Sequence, residues 1–214
     1  MTDLAINETT SEVNRSDRLD VEAVNQLMRS RRSTKPRLFN GDRIDDAIVW
    51  QLLENANWAP THGLTQPWRF TVFTQAGLEK LATFQADLYK RLTPPDQFSA
   101  DKYARLQDNV LKSSHVIVLG MKRQAAGTIP EIEEIEAVAC SVQNLMLSAA
   151  AYGICSFWGS GGVTYTDELK EFLGLGEGDR CVGYLYLGYS DTPATSSQRS
   201  PIQDKVQWIA KNEG

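Results

Sequence analysis

The chain has 214 residues, of which 42% are hydrophobic and 23% charged, so it can bury a sizeable core. Its 22 basic and 27 acidic side chains give a formal net charge of −5, which argues against non-specific binding to nucleic acid. No apolar run approaches the roughly 20 residues that span a bilayer. The polar and acidic N-terminus is not expected to be a secretory signal.

The cysteines and histidines argue against two further classes of protein. Cys140, Cys155 and Cys181 are odd in number, widely spaced and free of a CxxC pattern, so a disulfide framework is not indicated. His62 and His115 are the only histidines, and no metal site is predicted from so few ligands. We therefore expect a cytoplasmic protein in a reducing setting.

The first third of the chain predicts a tail, two helices and a strand. Residues 1–18 contain few large apolar side chains and are predicted to be a flexible tail, followed by one domain over residues 19–214. Apolar spacing predicts a helix over 20–30, capped by Asp20, and a second over 45–57. The aromatic and β-branched run WRFTVFTQ predicts a strand over 68–75.

The rest of the chain continues the alternation of helix and strand. A third helix is predicted over 76–91, a short one before Ser113, and a buried strand over 115–120. The longest helix is predicted over 131–152. After it come a glycine-rich break at FWGSGG, a short helix at TDELKEFLGL and a last strand at RCVGYLYLGY. At least three strands alternating with helices favour an α/β or α+β fold.

Several well-known active-site motifs are absent from the sequence. It contains no GxxxxGK[ST] phosphate loop, no GxGxxG dinucleotide fingerprint and no GxSxG elbow. No protein nucleophile stands out either. Chemistry carried by a cofactor is therefore favoured over chemistry carried by a side chain.

Four short stretches remain as candidates for a ligand site. RSRRS, at 29–33, could bind a phosphate through its arginine forks, or could simply place cations at a helix C-terminus. APTHGLTQPW, at 59–68, offers His62 and Gln66 as donors and acceptors, or is an ordinary loop. FWGSGG allows close backbone approach to a planar ligand, or merely ends a helix. RSP, at 199–201, holds an arginine that most tails would leave solvated.

Taken together and in order, these stretches resemble the FMN-dependent nitroreductase superfamily. RRS near the start, the AP…QPW loop, WGSGG after a long helix and LGLGEGDRCVGYLYLGY near the end carry the resemblance over residues 21–209. It is closest to the small bacterial members. It implies an α+β fold, a three-layer α/β/α sandwich with a mainly antiparallel central sheet. It also implies a homodimer with FMN at the subunit interface.

The resemblance also implies which residues bind the flavin. Arg31, Arg32 and Ser33 match the family's RRS, which contacts the FMN phosphate and the pyrimidine side of the ring. A second loop is expected to reach the flavin of the neighbouring subunit, and a third segment is expected to line its ring. The expected contacts of these segments are His62, Thr65 and Gln66 in the loop, Trp158, Gly159 and Ser160 along the ring, and Arg199 at the phosphate.

Two positions depart from the pattern of close relatives. Trp58 stands where small members carry an arginine that contacts FMN, and an indole cannot replace that charge. Gly159 stands where an arginine sometimes separates the tryptophan from the serine. These changes put some cationic contacts to the cofactor in doubt.

The activity implied by the resemblance is reduction of electron-poor acceptors by ping-pong hydride transfer. FMN would take a hydride from NADH or NADPH and pass it to a nitroaromatic, quinone or enone, with no catalytic side chain required. The alternatives are a flavin-binding module or redox sensor without turnover, a different flavin chemistry on the same scaffold, and a cofactor-free interaction protein.

Overall fold

A computed structural model describes residues 20–209 of the chain. This part of the chain forms six α-helices and one four-stranded sheet. The helices are α1 (Val21–Ser30), α2 (Asp46–Asn57), α3 (Ala76–Leu92), α4 (Ala100–Leu111), α5 (Glu131–Ala151) and α6 (Asp167–Phe172). The strands are β1 (Trp68–Thr74), β2 (His115–Met121), β3 (Cys155–Gly159) and β4 (Arg180–Gly188). The predicted tail over residues 1–18 lies outside the described residues.

The helix starts follow the local capping chemistry of the sequence. The Asp20 carboxylate accepts hydrogen bonds from the backbone N–H groups of Glu22 and Ala23 at 2.9 and 3.2 Å, as predicted for the start of α1. Asp45 caps α2 in the same way, and Thr166 caps α6. These caps satisfy N–H groups that a helix cannot pair internally.

The sheet is antiparallel throughout, with strand order β1-β2-β4-β3. Trp68 of β1 pairs with Met121 of β2, and Met121 pairs in turn with Arg180 of β4. At the other edge, Gly159 of β3 pairs with Tyr184. The loop that enters β1 and the loop that leaves β3 therefore lie toward the same end of the sheet, but at its opposite edges.

Helices cover both faces of the sheet, because its central strands are apolar on both sides. Ile117 and Leu185 belong to a core with α2 and α5, whereas Val118 and Tyr184 belong to a second core with α3, α4 and α6. The predicted three-layer α/β/α sandwich with an antiparallel sheet is thus confirmed. No helix of residues 20–209 is both long and apolar enough to cross a membrane.

The prediction of a glycine-rich break over FWGSGG was wrong in its first half. Residues 155–159 form the edge strand β3, and the irregular segment starts only after Gly159. Phe157 and Trp158 are good strand formers, and β4 supplies a complete row of backbone partners for them. Tertiary pairing therefore overrides the glycine signal at this point.

The only buried histidine of the described residues ties α2 to the central strand. His115 Nε2 lies 2.9 Å from Asp46 Oδ1, and its Nδ1 lies 3.0 Å from Ser114 Oγ. Ser114 Oγ also accepts the Ile44 N–H at 2.8 Å, so its own hydrogen is free to point at Nδ1. The network therefore fits a neutral imidazole that donates through Nε2–H.

We predict that His115 weakens the fold below neutral pH. Burial, helped by the positive charge of Arg43, lowers its pKa from the ordinary value of about 6.5 despite the opposing influence of Asp46. The unfolded chain binds the proton at a higher pH than the folded chain does. The free energy of unfolding is therefore at its full value above about pH 6.5 and decreases as pH falls through the folded pKa.

An NMR titration of the two imidazole rings, assigned with a His62→Gln variant, measures this directly. We expect His115 to titrate below pH 6.5 in the folded protein. A midpoint at or above that value would contradict the prediction.

Candidate active site

The site begins where the arginine segment joins the edge of the sheet. Ser33 forms a parallel bridge with Ser156 of β3, and the Thr34 N–H donates to the Ser156 carbonyl at 2.9 Å. This pairing places two segments that are more than a hundred residues apart in sequence beside each other. The structure thus brings together the predicted groups Arg31–Ser33 and Trp158–Ser160.

The two arginines of this segment differ in what they already bind. Arg32 donates through Nε to the Thr195 carbonyl at 3.2 Å and through Nη1 to the Arg31 carbonyl at 2.9 Å. The Nη1 of Arg31 is buried and has no hydrogen-bond partner among the described residues. Leaving a buried guanidinium nitrogen without a hydrogen-bond partner costs free energy. Arg31 is therefore the arginine of this pair that has a buried nitrogen still able to donate a hydrogen bond to a ligand.

Trp158 is held in place by the neighbouring strand. Its indole N–H donates to the Val182 carbonyl at 3.1 Å. The next residue, Gly183, has a φ of 140°, and a Cβ there would lie 2.5 Å from Trp158 Nε1 and 2.7 Å from the Gly159 carbonyl. Only glycine therefore lets the indole lie across β4 in this way.

A cavity of about 950 Å³ opens beside these segments. Its volume is at the upper end of the range that small-molecule sites occupy. One wall is the end of β3 with the glycine loop after it, a second is the segment 35–37, and a third is one side of α4. The described lining residues are Lys35, Pro36, Arg37, Asp101, Lys102, Ala104, Arg105, Leu106, Asp108, Asn109, Lys112, Phe157, Trp158, Gly159, Ser160, Gly161, Gly162 and Tyr186.

The cavity is basic although the chain as a whole is acidic. Its lining has five basic side chains against two carboxylates, a net of +3, whereas the whole chain has −5. None of the five takes part in an ion pair within residues 20–209. The ion-paired basic side chains there are His62, Arg91, His115, Arg123, Lys170 and Arg180. Such a concave basic surface concentrates anionic ligands.

Neither cysteine nor histidine is among the described residues that line the cavity, and its two carboxylates, Asp101 and Asp108, stand among the basic side chains of α4. Burial raises the pKa of Tyr186 to about 12, so its hydroxyl stays protonated at neutral pH. Together with Phe157 and Trp158 it makes an aromatic surface that suits a planar ligand.

The second predicted loop lies elsewhere in the chain. His62, Thr65 and Gln66 do not line the cavity, because they precede the opposite edge strand. Four strands at roughly 4.8 Å spacing put the two edges about 14 Å apart. Within one chain, the structure therefore does not bring these residues to the other predicted contacts.

This loop nevertheless has a defined shape. Thr61 Oγ1 lies 3.1 Å from Thr65 Oγ1 and accepts the Gln66 N–H at 3.2 Å, while His62 Nδ1 lies 2.5 Å from Glu133 Oε2. Leu64 and Gln66 have φ values of 54° and 44°, which side chains with a Cβ seldom adopt. Such strain is retained where a loop has to present particular groups.

Two further positions give no support to a cofactor contact within the chain. Arg199 is exposed and, within residues 20–209, bonds only to its neighbours, the Ser197 hydroxyl and the Gln198 carbonyl at 3.0 Å. Trp58, at the end of α2, is 79% exposed. The assignment of Arg199 to a phosphate stays a prediction.

The basic residues of the cavity were not predicted from the sequence. Lys35 follows RRST directly, and this continued run of positive charge was a usable signal. Lys102, Arg105 and Lys112 carried no such signal, because α4 alternates charges as any solvated helix does. Only the tertiary packing shows that their side of α4 faces Trp158.

Comparison with known proteins identifies the family of this chain. The profile of the Nitroreductase family matches residues 28–189. The chain therefore belongs to the Nitroreductase family and is an oxidoreductase.

Individual relatives cover most of the chain. YfhC of Bacillus subtilis strain 168, named as a candidate NAD(P)H nitroreductase, is 30% identical over 181 residues, covering 84% of this chain and 90% of the relative. A nitroreductase-like protein from Bacillus cereus superposes with a TM-score of 0.74 at 29% identity, covering 89% and 96% of the two chains. The FMN-dependent nitroreductase NfnB of Mycobacterium smegmatis, solved with NADPH, has the same fold with a TM-score of 0.71 at 19% identity, covering 88% and 99%.

We predict that Gly183→Ala displaces Trp158 from the cavity wall. The added methyl group would overlap the indole nitrogen and the Gly159 carbonyl, so the side chain or the strand has to move. We expect altered tryptophan fluorescence and a loss of stability on the order of 1–3 kcal/mol in urea unfolding. Gly77→Ala, where a Cβ meets nothing closer than 3.8 Å, is the control. Unchanged fluorescence and stability in Gly183→Ala would contradict the prediction.

Proposed function

We propose that this nitroreductase-family protein is an FMN-dependent NAD(P)H oxidoreductase that reduces electron-poor acceptors such as nitroaromatics, quinones and enones. The observation that carries the proposal is the unpaired, buried Arg31 guanidinium nitrogen on a segment bridged to the wall of a large basic cavity. Relatives named for NAD(P)H nitroreductase activity, and fold neighbours described with FMN or NADPH, support it.

The residues of this chain fit FMN. Arg31 and Lys35 offer positive charge to a phosphate or to the pyrimidine side of the ring. Phe157, Trp158 and Tyr186 offer an aromatic surface, and a Cβ at Gly161 would meet nothing within 4 Å, so the loop leaves room for a ligand. When bound, FMN supplies the centre that takes a hydride from the nicotinamide and gives it to the acceptor.

In the proposed reaction, the side chains of the protein position the ligands and balance their charge. Arg31 and Lys35 favour an anionic form of the ligand electrostatically. The bond from Trp158 to the Val182 carbonyl fixes one wall. Because a single cavity serves both donor and acceptor, we expect them to bind in turn and to give ping-pong kinetics.

A homodimer is part of the proposal. His62, Thr65 and Gln66 cannot reach the cavity of their own chain, so we infer that they complete the cavity of a second copy. The strained loop presents Leu64 with 80% of its surface exposed, and Val21, Met28 and Ile132 are exposed on neighbouring helices. These exposed apolar side chains form a surface for a second chain to bury.

The assembly is proposed as one domain per subunit over residues 19–214, located in the cytoplasm. All three cysteines lie in the described residues and are free thiols, which suits a reducing compartment. The nicotinamide donor is also a small-molecule partner, and no nucleic-acid partner is proposed.

We predict that Arg31→Ala weakens FMN binding more than Arg32→Ala does. Loss of a charge-assisted contact costs on the order of 1.5–3 kcal/mol, whereas the Arg32 guanidinium is already engaged with three carbonyls. Titration of the apoprotein with FMN, followed by flavin fluorescence, measures both. Lys90→Ala, an exposed position in the last turn of α3, is the control. Equal affinity in Arg31→Ala and the unchanged chain would remove the phosphate assignment.

Turnover is tested by spectroscopy of the purified protein under anaerobic conditions. We expect flavin bands that bleach with NADPH or NADH and return with a nitroaromatic or quinone. Bands that persist with both nucleotides would indicate a flavin-binding module or redox sensor. A protein that stays colourless after addition of FMN would refute the proposed function.

A further inference from the structure

The α4 wall of the cavity carries positive charge that the flavin does not explain. Arg31 and Lys35, the groups assigned to the cofactor, lie on the segment joined to β3. Lys102, Arg105 and Lys112 stand on a different element and also line the cavity. Nitroaromatics, quinones and enones need no cation for binding, so these three side chains are available to an anionic ligand.

The length of this wall indicates an extended ligand. The cavity lining runs along α4 from Asp101 to Lys112, which is about 16 Å of helix. A stacked flavin and nicotinamide ring would fill only part of such a length. A dinucleotide donor extends well beyond its nicotinamide, and its far end bears a 2′-phosphate in NADPH and a hydroxyl in NADH.

Lys102 and Arg105 have the geometry to hold that phosphate. They are three positions apart, so they are neighbours on the helix surface. The Lys102 ammonium lies 4.4 Å from the centre of the Tyr89 ring, which holds it without neutralising it. Arg105 forms no ion pair among the described residues. A lysine and an arginine together suit a phosphate dianion.

Two carboxylates on the same wall influence where an anionic phosphate binds most favourably. Asp101 and Asp108 flank Arg105 along α4, and both line the cavity. Neither is within ion-pair distance of Arg105. Each of the two carboxylates is about one turn from Arg105, and Asp108 is also about one turn from Lys112, so neither end of the wall is free of negative charge. Lys102 and Arg105 are one turn apart, whereas Lys112 is two turns from Arg105, so Lys102 and Arg105 are the two cations that can contact one phosphate together.

We propose that Lys102 and Arg105 bind the 2′-phosphate of the donor and make the enzyme selective for NADPH over NADH. The inference rests on the proposed function, since it assigns the donor of the same cavity. It adds that the opposite wall, α4, determines which nicotinamide nucleotide is used.

The experiment compares two double variants with matched charge changes. Lys102→Gln/Arg105→Gln removes the proposed phosphate contacts. Lys90→Gln/Arg91→Gln removes the same charge from the end of α3, outside the cavity lining. Anaerobic reduction of the bound flavin is followed by stopped flow, with NADPH and NADH at one ionic strength.

We expect the unchanged protein and the Lys90/Arg91 variant to prefer NADPH by at least about 10-fold in second-order rate constant. In the Lys102/Arg105 variant, we expect that ratio to fall by about 10-fold, with the loss on the NADPH side. Equal use of the two donors by the unchanged protein would overturn the inference. So would a retained preference in the Lys102/Arg105 variant.

A binding measurement separates this inference from the proposed function. Calorimetry with adenosine 2′,5′-bisphosphate and adenosine 5′-monophosphate tests recognition of the 2′-phosphate without turnover. Tighter binding of the bisphosphate, lost only in the Lys102/Arg105 variant, supports the inference. Equal binding of both compounds overturns it, even if the flavin is reduced normally. Failure of any nucleotide to reduce bound flavin would count against the proposed function instead.

Discussion

The bridge between Ser33 and Ser156 is the contact on which the whole site depends. It joins the segment after α1 to the edge of the sheet through backbone pairing, including the Thr34 N–H to the Ser156 carbonyl at 2.9 Å. Backbone bonds of this kind do not depend on a particular side chain. Lys35 and Trp158 therefore line one cavity, with Arg31 on the segment that leads into it, because β3 is an edge strand with a free side for the arginine segment.

Much of the fold could be predicted from local chemistry. The caps at Asp20 and Asp45 and the apolar run of β2 act over a few residues, so a single sequence reveals them. β3 could not be predicted in the same way. Its residues adopt a strand because β4 lies beside them, and that partner is more than twenty residues away. Local glycine content pointed to the wrong conformation.

The site, like the fold, is predictable from the sequence where local residues determine it and not where tertiary contacts do. The run from Arg31 to Lys35 is readable as a basic segment, and FWGSGG as a place where a backbone can approach a ligand. Which arginine has a free nitrogen is not readable, since that depends on the Thr195 carbonyl, which engages Arg32. The basic side of α4 is equally hidden, because a helix with mixed charges looks solvated until its neighbours are known.

The arginine segment and the loop around His62, which are both proposed to contact the flavin, lie at opposite edges of the sheet, and this separation has a consequence for mixed assemblies. In the proposed dimer, each cavity combines the arginine segment of one copy with the loop of the other. A copy with a damaged loop would spoil the cavity that it serves in its partner while its own cavity remained complete. Two chains with different defects, one in each segment, would regain one intact cavity when combined, so complementation between inactive chains is built into this arrangement.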